Sequence, residues 1–287
     1  MAAWGVGAHG FLLATTLREG HELDNQSPAD WPDDPQDWDS QDAMLRYTYD
    51  TPAGHRFRLT GAGQAPDHAR TRGDGRELLL TTAESYDLIF SQPSNPYRAG
   101  IASLFSREFY VAASERLEEG GLLLQWLQGY ETDGRVVRMA YATLGSVFPY
   151  VESWQVHEND LLLVASKTPL AHHLPTLAAR LATEPWKTAL PRVWGVEGID
   201  GLYTGYLGGP GLARELAAAH TGPLNTDDHP VMEFGFVRNL GRETLFSVEQ
   251  IRSLSKAGGH HRPPVEEGEV DWRRVAELRS VGPVIWG

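Results

Sequence analysis

The sequence predicts an α/β fold built on a doubly wound, mostly parallel sheet. From residue 73 to residue 166, short apolar runs alternate with segments of helical spacing, and this alternation is typical of sheets covered by helices. Polar residues follow the ends of the apolar runs, which is where such sheets bind ligands. Hydrophobic residues make up 41% of the 287-residue chain, which is enough for a packed core.

The first 65 residues predict little regular structure. Residues 4–17 fit a short strand, a glycine turn and the start of a helix, and their G-x-G-x-x-G spacing alone is a weak indication of nucleotide binding. Residues 27–42 are rich in Asp and Pro and predict a solvated loop. Residues 47–59 alternate enough to predict a hairpin. We therefore expect a partly irregular N-terminal segment, residues 1–65.

The central region, residues 66–168, has the clearest pattern. An apolar run at residues 86–92 predicts a strand that is buried on both faces. Helical spacing at residues 103–117 predicts a helix, and Gly120-Gly121 is expected to end it. The other elements predicted here are strands at 68–72 and 122–127, helices at 77–82 and 133–148, and a closing antiparallel hairpin of strands at 151–157 and 161–166.

The last region, residues 169–287, predicts an extension made mostly of helices. The pairs His172-His173 and His260-His261 are expected to face solvent. The cluster Asp227-Asp228-His229 predicts a structural turn rather than a metal site, because adjacent side chains point in different directions. The elements predicted here are helices at 169–181, 189–216, 245–254 and 271–278, a loop at 225–230 and a strand at 231–237.

Composition excludes several classes of function. The net charge of −13 disfavours nucleic-acid binding by phosphate neutralisation and disfavours anionic membranes, and it favours cationic ligands such as polyamines. The chain has no cysteine, which rules out disulfides and thiolate chemistry. No apolar run approaches a membrane span, and no basic leader precedes the first apolar stretch, so we expect a cytoplasmic protein. A G-x-S-x-G nucleophile motif is absent from the sequence, which disfavours a hydrolase.

Four sequence motifs are of interest. The first three contain polar residues near predicted strand ends, and the fourth follows them in the C-terminal region. They are GDGR at 73–76, YDLIFSQPSNP at 86–96, the Gly-Gly pair with its following strand at 120–125, and PLNTDDHPVMEF at 223–234. Polar groups that gather at strand ends indicate a small-molecule site rather than a flat interaction surface. The polar residues at or near strand ends are Asp74, Gln92, Ser94, Asn95 and Gln125.

Taken together, these motifs resemble the spermidine synthase family, in particular its bacterial spermidine-synthase-like branch, over residues 66–240. The resemblance implies the fold of S-adenosylmethionine-dependent methyltransferases. This is a Rossmann-like, doubly wound sheet with a C-terminal antiparallel hairpin, here followed by an α+β extension.

The resemblance also implies an activity and roles for the site residues. Members transfer an aminopropyl group from decarboxylated S-adenosylmethionine to an amine such as putrescine, in polyamine biosynthesis. The implied partners are an adenosyl nucleoside as co-substrate and an amine, with no tightly bound cofactor and no metal; a homodimer is left open. The implied nucleoside ligands are Asp74 and Gly75, and the implied amine-site residues are Gln92, Ser94, Asn95 and Gln125.

Two residues depart from the family pattern. Spermidine synthases have carboxylates at the positions that Gln92 and Asn95 occupy here, and the first of these accepts the proton of the attacking amine. An amide cannot act as a general base, although it can accept a hydrogen bond from an ammonium group. Three alternatives therefore stay open: an impaired aminopropyltransferase, a methyltransferase, and a non-catalytic nucleoside-binding or scaffold protein.

Local alternatives also remain for individual residues. Asp74 between two glycines also fits a plain turn residue, and Asn95 before Pro96 also fits an Asx turn. Gln125 is expected to face the pocket, because a buried amide needs several hydrogen-bond partners.

Overall fold

The structure, a computed structural model, describes residues 2–6, 9–21, 37–50, 56–62, 75–93, 96, 100–129, 132–157, 159–234 and 246–281, the first four ranges as backbone only. Within these ranges the protein has a mixed α/β fold, with sheets of four, five and two strands. The predicted α/β class is confirmed at this level. In the described part of the chain, no helix combines the length and the apolar character needed to cross a membrane.

The strands are numbered in chain order. They are β1 (Ala2–Val6), β2 (His9–His21), β3 (Asp37–Asp50), β4 (Arg56–Ala62), β5 (Tyr86–Ser91), β6 (Leu117–Leu127), β7 (Tyr150–His157), β8 (Asp160–Ser166), β9 (His172–His173), β10 (Tyr206–Gly208) and β11 (Val265–Glu267).

The helices are numbered in the same way. They are α1 (Gly75–Thr81), α2 (Arg107–Arg116), α3 (Gly134–Gly145), α4 (Leu174–Leu181), α5 (Trp186–Trp194), α6 (Gly198–Leu202), α7 (Pro210–Ala218), α8 (Val248–Ala257) and α9 (Trp272–Val281), with 3-10 helices at Ile101–Phe105 and Val231–Phe234.

The N-terminal segment contains more regular structure than the sequence predicts. Strands β1 to β4 form an antiparallel sheet in sequential order. The predicted hairpin is present as β3 and β4, with Tyr47 opposite Leu59. The start of a helix that was expected within residues 4–17 lies instead in β2, and the end of the Asp-rich stretch forms the start of β3. Pairing along thirteen residues of β2 and β3 satisfies the backbone groups there, which overrides the weak strand preference of Asp.

The five-stranded sheet positions the candidate site. Its order is β10-β7-β8-β6-β5. Strands β5 and β6 are parallel, while β8 is antiparallel to both β6 and β7. Strands β5, β6 and β7 therefore run in one direction, and their carboxyl ends share one edge of the sheet. The predicted closing hairpin is present as β7 and β8.

The helical prediction for residues 103–117 is only partly right. A 3-10 helix ends at Phe105, and Ser106 then takes an extended conformation and caps α2 by accepting a hydrogen bond from the Phe109 N–H at 3.2 Å. Helix α2 ends at Arg116 rather than at Gly120-Gly121, which lies within β6. Leu117 leaves the helix because it pairs with Tyr86 of β5.

One face of the sheet is covered by helices and is buried. Ser153 of β7, Leu163 of β8 and Gln125 of β6 lie side by side on this face, as the strand register shows. Helix α3, capped by the carboxylate of Asp133, packs here and contributes Tyr141, whose hydroxyl is 2.8 Å from the Ser153 hydroxyl. A continuous apolar core therefore fills the space between this face and its helices.

A second core contains a buried polar chain that the sequence did not predict. His172 lies 2.8 Å from the Glu152 carboxylate through Nε2 and 2.6 Å from the Tyr203 hydroxyl through Nδ1. The expectation that His172 faces solvent is wrong, since only 7% of it is exposed. Parallel pairing of β9 with β11 and the surrounding rings of Trp154 and Tyr206 bury it. Burial raises the pKa of Tyr203, and the charge of Glu152 raises it further.

The C-terminal region keeps its predicted helical character with shifted boundaries. A strand was predicted at residues 231–237, but the first four of these residues form a 3-10 helix, Val231–Phe234. The other three lie outside the described residues. The helices predicted at 245–254 and 271–278 correspond to α8 and α9. The helix predicted at 189–216 is divided into α5, α6 and α7, with β10 before α7.

Two buried tyrosines allow a matched test of the main core. Tyr141→Phe removes the partner of the buried Ser153 hydroxyl and should lower the free energy of unfolding by about 1–2 kcal/mol. Tyr110 is equally buried, but its hydroxyl has no hydrogen-bond partner among the described residues. Tyr110→Phe should therefore leave stability unchanged or raise it. Urea unfolding of both variants measures this, and an equal loss in both would contradict the assignment.

Candidate functional site

The candidate site lies at the shared carboxyl edge of β5 and β6. Strand β5 ends at Ser91, which is buried and pairs with Gln125 of β6. The next residue, Gln92, is exposed beyond this edge. Gln92 therefore lies at the end of a strand, as predicted. Polar residues just past the ends of parallel strands face the crevice where such sheets bind ligands. Ser94 and Asn95 lie outside the described residues, so their roles stay predictions.

Gln125 occupies a closed position on the buried face of the sheet. Its side chain is 0% exposed. The amide Nε2 donates to the Trp126 carbonyl at 3.1 Å, while Oε1 has no hydrogen-bond partner among the described residues. A buried carbonyl without a donor destabilises a core unless a ligand or water satisfies it. The expectation that Gln125 faces the pocket is therefore wrong, since its side chain is completely buried on the face that the helices cover. Its amine-binding role stays a prediction.

The end of β6 is held tightly against the β7–β8 hairpin. The Gly129 N–H donates to the Asp160 carboxylate at 2.9 Å. A Cβ on Gly129 would lie 1.8 Å from the Asn159 carbonyl oxygen, so only glycine allows this close approach. The backbone at this edge is thus fixed by contact with the hairpin.

The predicted nucleoside loop is described only from its last half. Helix α1 begins at Gly75, which is exposed, and a Cβ at this position would meet no atom within 4 Å. Asp74 lies outside the described residues, so its contact with adenine stays a prediction. Arg76, the last residue of the GDGR motif, is described and makes two long-range contacts.

Arg76 joins two motifs that are far apart in the sequence. Its Nη2 donates to the carboxylate of Asp227, and its Nη1 donates to the Ser103 carbonyl at 3.1 Å. The backbone N–H of Asp227 also donates to the Glu108 carboxylate at 3.0 Å. The GDGR motif and the NTDDHP loop, 151 residues apart, therefore meet beside the segment that follows β5.

Asn225 anchors this loop inside the protein. Its side-chain Nδ2 donates to the Ala102 carbonyl at 2.8 Å, and its Oδ1 accepts from the Met232 N–H at 3.2 Å. Its own backbone N–H donates to the Thr143 hydroxyl at 3.1 Å, and its carbonyl accepts from the Arg107 N–H at 2.9 Å. The residue is completely buried, and all four of these polar groups are satisfied. The loop is thereby fixed to α2, to α3 and to the 3-10 helix Ile101–Phe105.

The electrostatics of the loop follow from Arg76. Partial burial of Asp227 acts to raise the pKa of its carboxyl, but hydrogen bonds from Arg76 and Ser106 and the Arg76 charge outweigh it and lower the pKa. The loop itself is a turn in which the Thr226 N–H donates to the His229 carbonyl at 3.2 Å. No group of three or more His, Asp or Glu side chains among the described residues is arranged to hold a metal ion.

The sequence predicts the motif at residues 223–234 but not the contacts that its residues make. Residues 223–234 were recognised as a block, whereas Asn225 and the pairing of Arg76 with Asp227 were not foreseen. The available signal was the charge complementarity between the arginine of GDGR and the acidic pair of the loop. The sequence predicts Gln92 and Gln125 as candidates because each lies at or near a strand end.

The sequence matches no model of a known protein family and has no significant match among curated proteins.

The Asn225 anchor predicts a large loss of stability on truncation. Asn225→Ala leaves the Ala102 carbonyl and the Met232 N–H buried without partners, and should lower the free energy of unfolding by about 2–3 kcal/mol. Gln250→Ala, an exposed change on α8, should stay within about 0.5 kcal/mol of the wild type. Urea titrations give both values, and equal stability of the two variants would contradict the anchor.

The contact between Arg76 and Asp227 predicts a dependence of stability on pH. Because the folded pKa of Asp227 is lowered from 3.8, its contribution is fully present above that value and is lost as the pH falls through the folded pKa. At pH 7, Asp227→Asn should be less stable than the wild type by about 0.5–1 kcal/mol. The difference should shrink below about pH 4 in urea titrations at several pH values.

Asp228→Asn is the control for this pH effect, because it removes the neighbouring exposed carboxylate. A loss of the same size and pH dependence in that variant would show that general charge, and not the contact with Arg76, is responsible.

Proposed function

We propose that the protein is a spermidine-synthase-like aminopropyltransferase with an amide at the proton-acceptor position. The observation that supports this most is the contact of Arg76 with Asp227. It joins two of the four sequence motifs that resemble the family, beside the segment that follows β5. The exposed Gln92 extends from the end of that same strand.

The topology of the sheet supports the finer fold assignment. Strand β5, helix α2 and strand β6 form a parallel βαβ unit, and α3 then leads to β7, which runs in the same direction beyond β8. We propose that this is the carboxyl-side half of a Rossmann-like, methyltransferase-type sheet. Its shared edge would then hold the adenosyl nucleoside, with Asp74 and Gly75 at the adenine and Ser94, Asn95 and Gln125 toward the amine.

The proposed reaction is a nucleophilic substitution at carbon. The nitrogen of a neutral amine such as putrescine attacks the methylene carbon next to the sulfonium of decarboxylated S-adenosylmethionine. A C–N bond forms, the C–S bond breaks, and methylthioadenosine leaves with the electron pair. The new ammonium group then gives up one proton to solvent or to a nearby base.

The protein would contribute by aligning the amine with the C–S bond and by accepting a hydrogen bond from the amine. Holding the amine in line with the C–S bond supplies most of the available acceleration. The Gln92 amide can accept a hydrogen bond from the amine but cannot remove its proton. The acidic character of the chain, with a net charge of −13, favours the approach of a cationic amine.

The same amide favours a second candidate, a non-catalytic protein that binds adenosyl nucleosides. Gln92 and its neighbours Ser91 and Pro93 provide no carboxylate at the end of β5. Formation of methylthioadenosine from decarboxylated S-adenosylmethionine and putrescine separates the two. Product supports the transferase, whereas calorimetric nucleoside binding without product supports the non-catalytic protein. Demethylated cofactor formed from S-adenosylmethionine would indicate a methyltransferase instead.

Gln92→Glu should raise aminopropyl transfer by roughly a hundredfold, because it supplies the missing general base. The measurement is the initial rate of methylthioadenosine formation with saturating putrescine. Gln250→Glu adds the same charge on an exposed part of α8 and should leave the rate unchanged. If Gln92→Glu gains nothing while the nucleoside still binds, the proton-acceptor assignment is wrong.

Asp74→Ala tests the nucleoside placement separately. It should weaken methylthioadenosine binding by roughly tenfold or more in both the wild-type and the Gln92→Glu backgrounds, because it removes a charge-assisted hydrogen bond to the adenine and not the base. Calorimetry gives the dissociation constants, and an unchanged constant would show that the nucleoside binds elsewhere.

A further inference from the structure

An open cleft lies between α3, α7 and the start of β7. Its volume is about 510 Å³, which is within the range of small-molecule sites. Strand β7 begins at Tyr150, so the cleft lies at the amino edge of the five-stranded sheet. Gln92 follows the carboxyl end of β5, which runs in the same direction as β7. The cleft is therefore separate from the candidate site described above.

The α7 wall of the cleft is one face of that helix. Residues three and four positions apart lie side by side on a helix, and the cleft is lined by Pro210, Ala213, Arg214 and Ala217. The two alanine side chains are short, so they leave space between α7 and the end of α3. Arg214 is the one long side chain of this wall.

The opposite wall and the floor are mainly apolar. Three residues at the end of α3 line the cleft: Ala142, Gly145 and Ser146. The Ser146 hydroxyl donates to the Thr143 carbonyl at 2.7 Å, so its hydrogen is already used. Phe148 and Val151, both buried, form an apolar floor. The cleft is therefore suited to a hydrocarbon group.

Arg214 places one positive charge at this apolar cleft. It is exposed and makes no hydrogen bond or ion pair with the part of the chain that the structure describes. The neighbouring Glu215 lies instead 3.5 Å from the imidazole of His260. The chain has 38 acidic residues, yet none of those described lines the cleft. The guanidinium is thus available to a negatively charged group of a ligand.

We propose that this cleft binds a small carboxylate with an apolar body, of the aliphatic monocarboxylate class. The apolar body packs on Phe148 and Val151, and the carboxylate accepts hydrogen bonds from the Arg214 guanidinium, whose planar donors match a carboxylate. One cation matches one negative charge, which favours a monocarboxylate over a doubly charged phosphate. This site does not depend on the proposed transferase activity.

The test compares octanoate with octanol, which has the same apolar chain and no charge. Calorimetry with the full chain measures both dissociation constants. The wild type should bind octanoate saturably and bind octanol more weakly by roughly fivefold or more, because octanol lacks the charge-assisted contact. Arg214→Gln should weaken octanoate by the same factor and leave octanol unchanged. Arg273→Gln is the matched control, since the Arg273 side chain is 90% exposed on α9, and it should keep the preference for octanoate.

Ala217→Leu is a second variant that acts on the apolar part of the cleft. A leucine at this half-buried position fills part of the space, and should weaken both octanoate and octanol by roughly fivefold or more. Ala218→Leu is its control, because Ala218 is the next residue of α7, is exposed and does not line the cleft. It should bind both molecules as the wild type does.

The proposal is overturned if octanoate does not bind saturably, or if octanol binds the wild type as tightly as octanoate does. Retention of the preference for octanoate in folded Arg214→Gln would also overturn it. A dimer in sedimentation that Ala217→Leu dissociates, without octanoate binding, would assign the cleft to a second copy of the chain instead.

Discussion

The burial of Asn225 is the constraint on which the architecture around the site depends. A fully buried amide is tolerated only when its donor and acceptor are both satisfied, and here the partners come from two separate segments, Ala102 and Met232. This requirement fixes the loop that contains Asp227 against α2 and α3. Asp227 is then in place to hold Arg76 at the start of α1. The position of Arg76 thus follows from hydrogen bonds made far from it in sequence.

The direction of the strands explains why Gln92 and Gln155 lie at one edge of the sheet. Strands β5, β6 and β7 end at the same edge because β8 is inserted in the reverse direction. Gln92 lies just past one end of that edge, and Gln155 lies near the other. Gln92 is an exposed, uncharged amide, whereas Gln155 accepts a hydrogen bond from the Arg252 guanidinium of α8. The two ends of this edge therefore differ in charge.

The sequence predicted those elements that have a local end signal or a regular pattern of apolar residues. The buried run of β5, the capped helix α3 and the hairpin of β7 and β8 belong to this group. Apart from the hairpin of β3 and β4, it did not predict the four-stranded sheet of β1 to β4, where pairing between strands outweighs the poor local preferences. It also missed the burial of His172 and the role of Asn225, because both depend on partners tens of residues away or more. For the candidate site, strand ends predict Gln92 and Gln125 as candidates only, while the contact of Arg76 with Asp227 required the fold.

The central claim is that an adenosyl nucleoside binds at the carboxyl edge of β5 and β6. Hydrogen exchange of the full chain, with and without saturating methylthioadenosine, tests it most directly. The account predicts slower exchange at the start of α1, in the residues after β5 and in the loop around Asp227, with no change in β9 and β11. Unchanged exchange at this edge, or protection confined to the region of β9 and β11, would contradict it.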